Sequence, residues 1–384
     1  GPPPLAARRG QTIQWLKKVY PINDVNIWIS GEDPLDANYD YTDRSGGGCG
    51  DGWDDLLDDL WWLNFWTDDP VDNLKYYGML EENVPVGFTG CGYTPGDESA
   101  GQVAPAGSNA GGRAMAHEIA HNIGRQHAPC GGPARPDPRY PNADGSLDVY
   151  GLDPATMTLF PAATTFDLMT YCSPRWLSAY NYSALFRHFH PGPDLATAAS
   201  VSRFGAALQP AADGAYLVAA GRINQGQVSR LEPFYRLDGA PGSNDQPGSG
   251  AYSLEIQAVG GQVLFTRAFD LASHGDSGGD DGVFREIVPF PAGAARIAVK
   301  HGGTELTGRT VSAHAPEVKL LSPNGGENWL AGSQQTVRWS AGDADGESLV
   351  FSLQYSRDGG TTWSALAANL QSMEYSVAAA ALGG

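Results

Sequence analysis

The sequence has few positive charges. Its 384 residues include 24 Lys and Arg against 43 Asp and Glu, which gives a formal net charge of −19. A surface with this excess of negative charge repels nucleic-acid phosphates and anionic lipid head groups. We therefore expect no nucleic-acid partner.

Long hydrophobic runs are also missing. No stretch approaches the roughly 18–20 apolar residues that a membrane-crossing helix needs, so we expect no membrane insertion. Residues 1–4 lack the apolar core of an export signal, and we expect any such signal to have been removed.

Cysteine is scarce, and the four cysteines Cys49, Cys91, Cys130 and Cys172 form no C-x-x-C pair. This spacing argues against zinc-ribbon and thioredoxin motifs. An even number favours two disulfide bonds in an exported protein over four buried thiols. The sequence therefore predicts a secreted, extracellular protein.

The residues that are abundant indicate folded, turn-rich domains. Hydrophobic residues make up 41% and aromatic residues 10% of the chain, which excludes a disordered chain. The 50 glycines and 27 prolines predict many turns and β-rich modules. This length suggests two to three domains.

The first half carries both helical and strand patterns. The predicted helices cover residues 11–20, 54–65, 112–123 and 177–189, and the predicted strands cover residues 24–30, 76–80 and 84–88. This order predicts an α+β (α/β-type) domain over residues 1–192. In the second helix, Asp54, Asp55, Asp58 and Asp59 lie opposite the leucines, a pattern typical of a solvated face.

The remaining chain shows only strand patterns. Residues 216–220, 234–237, 252–258, 262–269, 284–288 and 295–300 predict an all-β sandwich over residues 193–315. Residues 316–384 alternate again, and the stretches 322–327 and 355–363 resemble immunoglobulin-like repeats of secreted bacterial enzymes. Such a module needs about 100 residues, so we expect the last module to be truncated at Gly384.

The most informative segment is H-E-x-x-H over residues 117–121. Residues four apart lie on the same helix face, so His117 and His121 can direct two imidazole nitrogens at one metal ion. Glu118 follows the first histidine and could reach a water at that metal. This motif predicts a zinc site on the helix.

A third histidine follows at the spacing that a sharp bend requires. Gly124 is the residue that best tolerates such a bend, and the bend returns His127 toward the other two histidines. Three protein ligands leave one zinc position open, which is the catalytic arrangement.

This segment resembles the signature H-E-x-x-H-x-x-G-x-x-H of the metzincin zinc endopeptidases, and the resemblance extends over about residues 10–190. The family also has a methionine turn, which Met169 matches, followed by a tyrosine, which Tyr171 matches. Met157 is the alternative methionine, but no tyrosine follows it. The resemblance does not decide the subfamily.

The resemblance implies a secreted metalloendopeptidase with one catalytic Zn²⁺. His117, His121 and His127 would hold the metal, and Met169 would form an apolar floor. A zinc-bound water would attack the peptide bond with Glu118 as general base, and Tyr171 would help to stabilise the oxyanion. The substrate is then a protein or peptide.

Two segments are candidates for the substrate pocket. Metzincins bind peptide along an edge strand ahead of the active-site helix. The edge strand predicted over residues 102–106 occupies that position and contains Gln102, Val103 and Ala104. The segment after the methionine turn includes Ser173 and Arg175. Arg175 could favour acidic side chains, although a solvent-facing arginine is the preferred interpretation.

The same resemblance suggests a disulfide pairing. Cys130 and Cys172 each follow a site residue by three positions, so both would lie near the floor of the site. Cys49 and Cys91 would then form the second bond. Four cysteines allow three connectivities, and the other two stay open.

Calcium is a second candidate cofactor. Clustered carboxylates at Glu32, Asp33, Asp36 and Asp40 and in the stretch 144–148 could hold Ca²⁺, although solvated turns are the preferred interpretation. The alternative function is a surface- or glycan-binding adhesin in which the β-modules carry the biology and the peptidase domain is accessory or inactive.

Overall fold

A computed structural model shows a multidomain, β-rich protein. It describes residues 6–22, 24–27, 37–43, 48–67, 74–105, 107–190, 214–238, 248, 250–274, 281–330 and 332–382. The predicted boundary at residues 192 and 193 lies outside the described residues. The part that the structure describes contains four α-helices and several separate sheets.

The first part of the chain contains all four of these helices. They are α1 (Ala6–Val19), α2 (Asp51–Phe65), α3 (Ala110–Asn122) and α4 (Ala179–Phe189). Its strands are β1 (Tyr76–Leu80), β2 (Gly90–Thr94), β3 (Glu98–Gln102), β4 (Gly151–Asp153), β5 (Thr158–Phe160), β6 (Phe166–Asp167) and β7 (Arg175–Trp176), with a 3-10 helix over Ala162–Thr164.

The second part, here called the middle module, is built from strands. They are β8 (Ala215–Asn224), β9 (Gln227–Leu231), β10 (Tyr235–Asp238), β11 (Tyr252–Ala258), β12 (Val263–Phe269), β13 (Ser273–His274), β14 (Gly282–Pro289), β15 (Ala294–His301) and β16 (Thr304–Thr310). The last module has β17 (Glu317–Ser322), β18 (Gln334–Gly342), β19 (Phe351–Tyr355), β20 (Ser364–Leu370), β21 (Glu374–Ala378) and a 3-10 helix over Ala379–Leu382.

The sheet beside the histidine motif has the strand order β1-β3-β2-β13. Strands β1 and β3 are parallel, and β2 is antiparallel to β3. Strand β13 comes from the middle module and pairs with the end of β2, His274 opposite Tyr93 and Ser273 opposite Thr94. The middle module therefore completes a sheet of the first part.

Helix α3 packs across this sheet because its first turn is built from small residues. A side chain at Gly111 would collide with the backbone at Ala104, and one at Gly112 would collide with Trp15 of α1. Met115 and Ile119 of α3 belong to a buried cluster that also contains Leu16. The helix is thus held between α1 and the sheet.

The expected solvated face of α2 is wrong. Asp54 and Asp58 are only 5% and 7% exposed, because the middle module covers them. Arg222 approaches Asp58 at 2.8 Å, and Arg285 approaches it at 3.0 Å. Buried carboxylates need partners of this kind, and here the partners come from strands more than 150 residues away.

The middle module is a two-sheet sandwich. One sheet has the order β10-β8-β14 with β9 also paired to β8, and the other has the order β12-β11-β15-β16. The two sheets share a core that includes Leu217, Phe284, Leu254 and Ile297. Strand β11 alternates between buried and half-buried residues as its sequence pattern predicted, whereas the central strand β8 is buried on both faces.

The last module is smaller. Its sheets are β17-β18-β21 and β19-β20, and its core contains Val337, Trp339 and Val377. The amide of Asn369 donates to a carboxylate oxygen of Asp59 at 3.1 Å, which links this module to α2.

The predicted disulfide pairing is confirmed. Cys49 bonds to Cys91 and Cys130 bonds to Cys172, with Cα–Cα distances of 6.0 and 5.7 Å. Two such bonds indicate an extracellular or otherwise oxidising environment. Among the described helices, none has the length and apolarity required to span a bilayer.

Three predicted strands differ from the structure. Residues 24–27 and 84–88 form no strand, and residues 28–30 lie outside the described part. The expected edge strand at residues 102–106 is wrong, because the strand is Glu98–Gln102 and lies between β1 and β2. The small residues Ser99, Ala100 and Gly101 lie in this strand and leave room for α3 above it.

Candidate metal centre

Helix α3 supplies the first two histidines of the site. His117 and His121 are one turn apart, and they are 5% and 0% exposed. Their Nε2 atoms lie 3.1 Å from each other. The helix therefore places both rings at one buried point, as the spacing predicts.

A glycine bend returns the third histidine to the same point. Gly124 has φ +78°, and the chain after it brings His127 back toward the helix. The Nε2 atom of His127 lies 3.1 Å from that of His117 and 3.2 Å from that of His121. The three nitrogens form a nearly equilateral triangle.

The donor set fits a zinc ion. Tetrahedral coordination at about 2.0–2.1 Å places ligand nitrogens about 3.3–3.4 Å apart, close to the observed separations. The Nδ1 atoms of His117 and His121 lie 3.0 and 2.7 Å from the carbonyl oxygens of Leu168 and Arg125. Because a carbonyl can only accept, these Nδ1 atoms donate, and the Nε2 lone pairs of the neutral rings converge. Converging lone pairs are what a cation site requires.

We expect Gly124→Ala to weaken this site through backbone strain alone. No heavy atom lies within 4 Å of an added Cβ, but a non-glycine residue at φ +78° costs about 1–2 kcal/mol. That strain corresponds to a roughly five- to thirtyfold loss of Zn²⁺ affinity if it falls on the metal-bound state. Chelator competition measures the affinity, and urea unfolding measures the stability.

Gly226→Ala is the matched control. Gly226 has φ +73° and equally open surroundings, but it lies in the β8–β9 turn of the middle module. This variant should lose comparable stability and keep its Zn²⁺ affinity. Equal affinities in the two variants would show that the bend at Gly124 does not position His127.

Glu118 lies against strand β2. The residue is only 4% exposed, and a Cβ added at Gly90 would lie 2.8 Å from its carboxylate. Gly92 is similarly close, 3.4 Å from the other carboxylate oxygen. Glycines at these two positions leave the space that the carboxylate occupies.

The negative charge of Glu118 affects two buried tyrosines, Tyr20 and Tyr77. Burial raises the pKa of Tyr20 and of Tyr77, and the negative charge of Glu118 raises both further. The hydroxyl of Tyr20 donates to the carbonyl of Ala116 at 2.6 Å. A neutral phenol therefore supports the helix turn that carries His117 and Glu118.

The segment around Met169 contacts both ligand-bearing stretches. Leu168 accepts the hydrogen bond from His117, and the carbonyl of Met169 accepts one from the amide of Ala128 at 2.9 Å. Met169 is completely buried. The ring of Tyr171 lies 4.9 Å from that of His127 and is 43% exposed, so it reaches the open side of the cluster.

A buried carboxylate organises this segment, and the sequence analysis did not identify it. Asp167 accepts hydrogen bonds from the amides of Met169 and Ser178, at 2.7 and 2.8 Å, and from the side chain of Asn181 at 2.8 Å. Burial raises its pKa, and these hydrogen bonds oppose the shift. Asn181 in turn accepts from Arg125 at 2.7 Å, next to the carbonyl that His121 contacts. The position of Asp167, two residues before Met169, was the sequence feature that could have identified it.

The other predicted pocket residues occupy different places. The side chain of Gln102 donates to the carbonyls of Glu81, Glu82 and Val84, and Val103 is buried, so both support the sheet. Ala104 lies beyond the end of β3 and is partly buried. On the segment after Tyr171, Ser173 is exposed, whereas Arg175 is half-buried and donates to the carbonyl of Thr170 at 3.0 Å.

A second group of possible metal ligands lies between the first part and the middle module. Asp54, Cys91 and His274 are all buried and close together. Cys91 is in a disulfide bond and offers no thiolate, and Nε2 of His274 lies 2.9 Å from a carboxylate oxygen of Asp54. We interpret this group as a structural contact.

The candidate calcium loops are only partly described. Glu32, Asp33 and Asp36 lie outside the described residues. Asp40 accepts hydrogen bonds from the amide and hydroxyl of Thr42. Asp144 accepts the same pair from Ser146. These contacts are typical of turns in which an aspartate binds the backbone two residues further on.

Comparison with known proteins gives no assignment, because no protein-family model matches this sequence and no curated protein matches it. The geometry of the site therefore carries the functional inference.

Proposed function

We propose that the protein is a secreted zinc-dependent endopeptidase of the metzincin type. One observation carries the proposal: three buried histidine nitrogens lie within 3.2 Å of one another, with a buried glutamate next to the first of them. A purely structural zinc site needs the histidines but has no need of a carboxylate at position 118.

His117, His121 and His127 would hold the metal as neutral ligands. A bound Zn²⁺ supplies Lewis acidity and lowers the pKa of water towards neutrality. Three protein ligands would leave one coordination position for substrate or water.

Glu118 would accept a proton from the attacking water and then deliver it to the leaving amine nitrogen. Its position beside Gly90 and Gly92 holds the carboxylate in place, so little reorganisation accompanies the transfer. The hydroxyl of Tyr171 would donate a hydrogen bond to the developing oxyanion, since its ring stands at the exposed side of the histidines.

The substrate class is protein or peptide. The middle and last modules are candidates for binding a substrate, a glycan or a cell surface. Both modules pack on α2, whereas the histidines of the site lie on α3. The disulfide bonds support a secreted protein, since they form in oxidising compartments.

Metal removal tests the proposal directly. We expect cleavage of casein and of a quenched-peptide library to fall to background with 1,10-phenanthroline and to return when Zn²⁺ is added. The non-chelating isomer 1,7-phenanthroline is the matched control, and metal analysis should find one zinc per chain. Activity that persists in metal-free protein would refute the zinc mechanism, and zinc-loaded protein inert on every peptide would favour the binding role.

A further inference from the structure

Within the described residues, Arg113 and Arg175 lack the carboxylate partners that several other arginines of this acidic protein have. Arg125, Arg222 and Arg285 each lie near a carboxylate, at 3.6, 2.8 and 3.0 Å. Arg113 and Arg175 are also half-buried, yet within the described residues neither has a carboxylate within ion-pair distance. In a chain with 43 acidic residues, this is an unusual position for two positive charges.

Arg113 lies on the ligand face of α3. It precedes His117 by four residues and His121 by eight, so the three side chains follow one another along the helix, one turn apart. One turn rises about 5.4 Å, which places Arg113 beside the histidine cluster at the N-terminal end of α3.

Arg175 approaches the same region from the other side. Its guanidinium donates to the carbonyl of Thr170, the residue between Met169 and Tyr171. Its Nε is buried and has no hydrogen-bond partner in the described protein. The preferred interpretation of Arg175 as solvent-facing is therefore wrong, because the side chain returns to the segment that borders the histidines.

The electrostatics place both arginines in one neighbourhood. Burial lowers the pKa of Arg175, and the positive charge of Arg113 lowers it further, whereas Glu118 and Tyr171 act in the opposite direction. Two arginines beside the single carboxylate of Glu118 leave an excess of positive charge, which favours binding of an anion. A guanidinium binds a carboxylate particularly well because it offers paired donors.

We propose that Arg113 and Arg175 form a subsite that binds a substrate carboxylate beside Glu118, so that the peptidase prefers an aspartate or glutamate next to the scissile bond. This proposal rests on the proposed peptidase function and adds the substrate class. The carboxylate could belong to an acidic side chain or to the C-terminus of a peptide.

Matched peptides that differ only in charge test the subsite. A cleaved sequence is made as C-terminally amidated peptides with Glu or Gln at each position flanking the cleaved bond. At one position we expect kcat/KM for Glu to exceed that for Gln at least tenfold. Free-acid and amidated forms of the Gln peptide separate the two carboxylate sources, since only C-terminal recognition makes the free acid the better substrate. A preference for neither carboxylate would overturn the proposal.

Arginine variants connect the preference to the two residues. Arg113→Gln and Arg175→Gln together should reduce the Glu-to-Gln ratio of kcat/KM to about one. Arg139→Gln is the control, because Arg139 is an exposed arginine of the same domain. An unchanged ratio in the double variant would overturn the proposal.

A third variant and a binding measurement keep the subsite testable if the double variant misfolds or if the protein shows no peptidase activity. Arg175→Lys keeps the charge and should keep a Glu preference of at least threefold, and thermal unfolding checks each fold. Fluorescence anisotropy of labelled Glu and Gln peptides on zinc-loaded Glu118→Gln protein needs no turnover. Tighter binding of the Glu peptide, lost in the double arginine variant, would support the subsite even if the peptidase assignment failed. Equal affinities for the two peptides would reject the subsite.

Discussion

Glu118→Gln is expected to remove peptide hydrolysis and leave zinc binding intact. Glutamine has nearly the same shape, so the contacts with Gly90 and Gly92 are preserved. It cannot accept or deliver the proton, and loss of general acid–base catalysis lowers kcat by about 10²–10⁴-fold. Initial rates on a quenched peptide measure the loss, and metal analysis should still find one zinc per chain.

His121→Ala is the contrasting variant. His121 contributes one of the three converging nitrogens, so its removal should lower both Zn²⁺ affinity and activity. Comparison of the two variants therefore distinguishes the role of His121 in metal binding from the role of Glu118 in proton transfer. If Glu118→Gln kept activity within tenfold of the wild type, another group would have to be the base.

Asp58→Ala is expected to cause the largest loss of stability. Asp58 is buried between Arg222 and Arg285, at 2.8 and 3.0 Å, and its removal leaves two guanidinium groups buried with less counter-charge. Breaking a buried ion pair from one side costs about 3–5 kcal/mol. Urea unfolding followed by tryptophan fluorescence should show a lower midpoint.

Asp51→Ala is the matched control on the same helix. Asp51 lies 3.8 Å from the same Arg222, but its side chain is 70% exposed. Exposed pairs contribute about 0–1 kcal/mol, so this variant should unfold nearly like the wild type. Similar losses of stability in both variants would show that burial of the ion pairs of Asp58 does not increase their contribution to stability.

The effect of Asp58→Ala should depend on pH. Burial tends to raise the pKa of Asp58, but Arg285 and Arg222 outweigh it, so the folded-state pKa lies below the ordinary value. A depressed carboxyl pKa contributes stability above the unfolded pKa of about 3.9 and loses it as the pH falls. The stability difference between the two proteins should therefore be full above about pH 5 and shrink below about pH 4.

Local patterns made the histidine cluster predictable. The four-residue spacing of His117 and His121 and the glycine before His127 determine their geometry through the helix and one bend. Strand β1 and the C-terminal ends of the four helices were also predictable to within one residue, whereas the first helix begins at Ala6 instead of the expected residue 11. The Cys130–Cys172 bond was predictable only through the family resemblance, which places both cysteines near the floor of the site.

Contacts between distant segments were not predictable. The alternation of Leu and Asp in α2 shows two faces, but nothing near it indicates that Arg222 and Arg285 cover the acidic one. Strand β13 has two residues and no hydrophobic pattern of its own. The roles of Gly90 and Gly92 depend on where Glu118 points. That Arg113 and Arg175 have no ion-pair partner among the described residues is evident only in the folded chain.

The late position of Ser273 and His274 in the chain has a consequence for biosynthesis. A nascent polypeptide that has emerged only as far as Phe269 already contains β2 and the complete histidine motif, but it has no residue to pair with Tyr93 and Thr94. The fourth strand of this sheet can therefore join only after the ribosome has made residue 274, which is more than 150 residues after the end of helix α3.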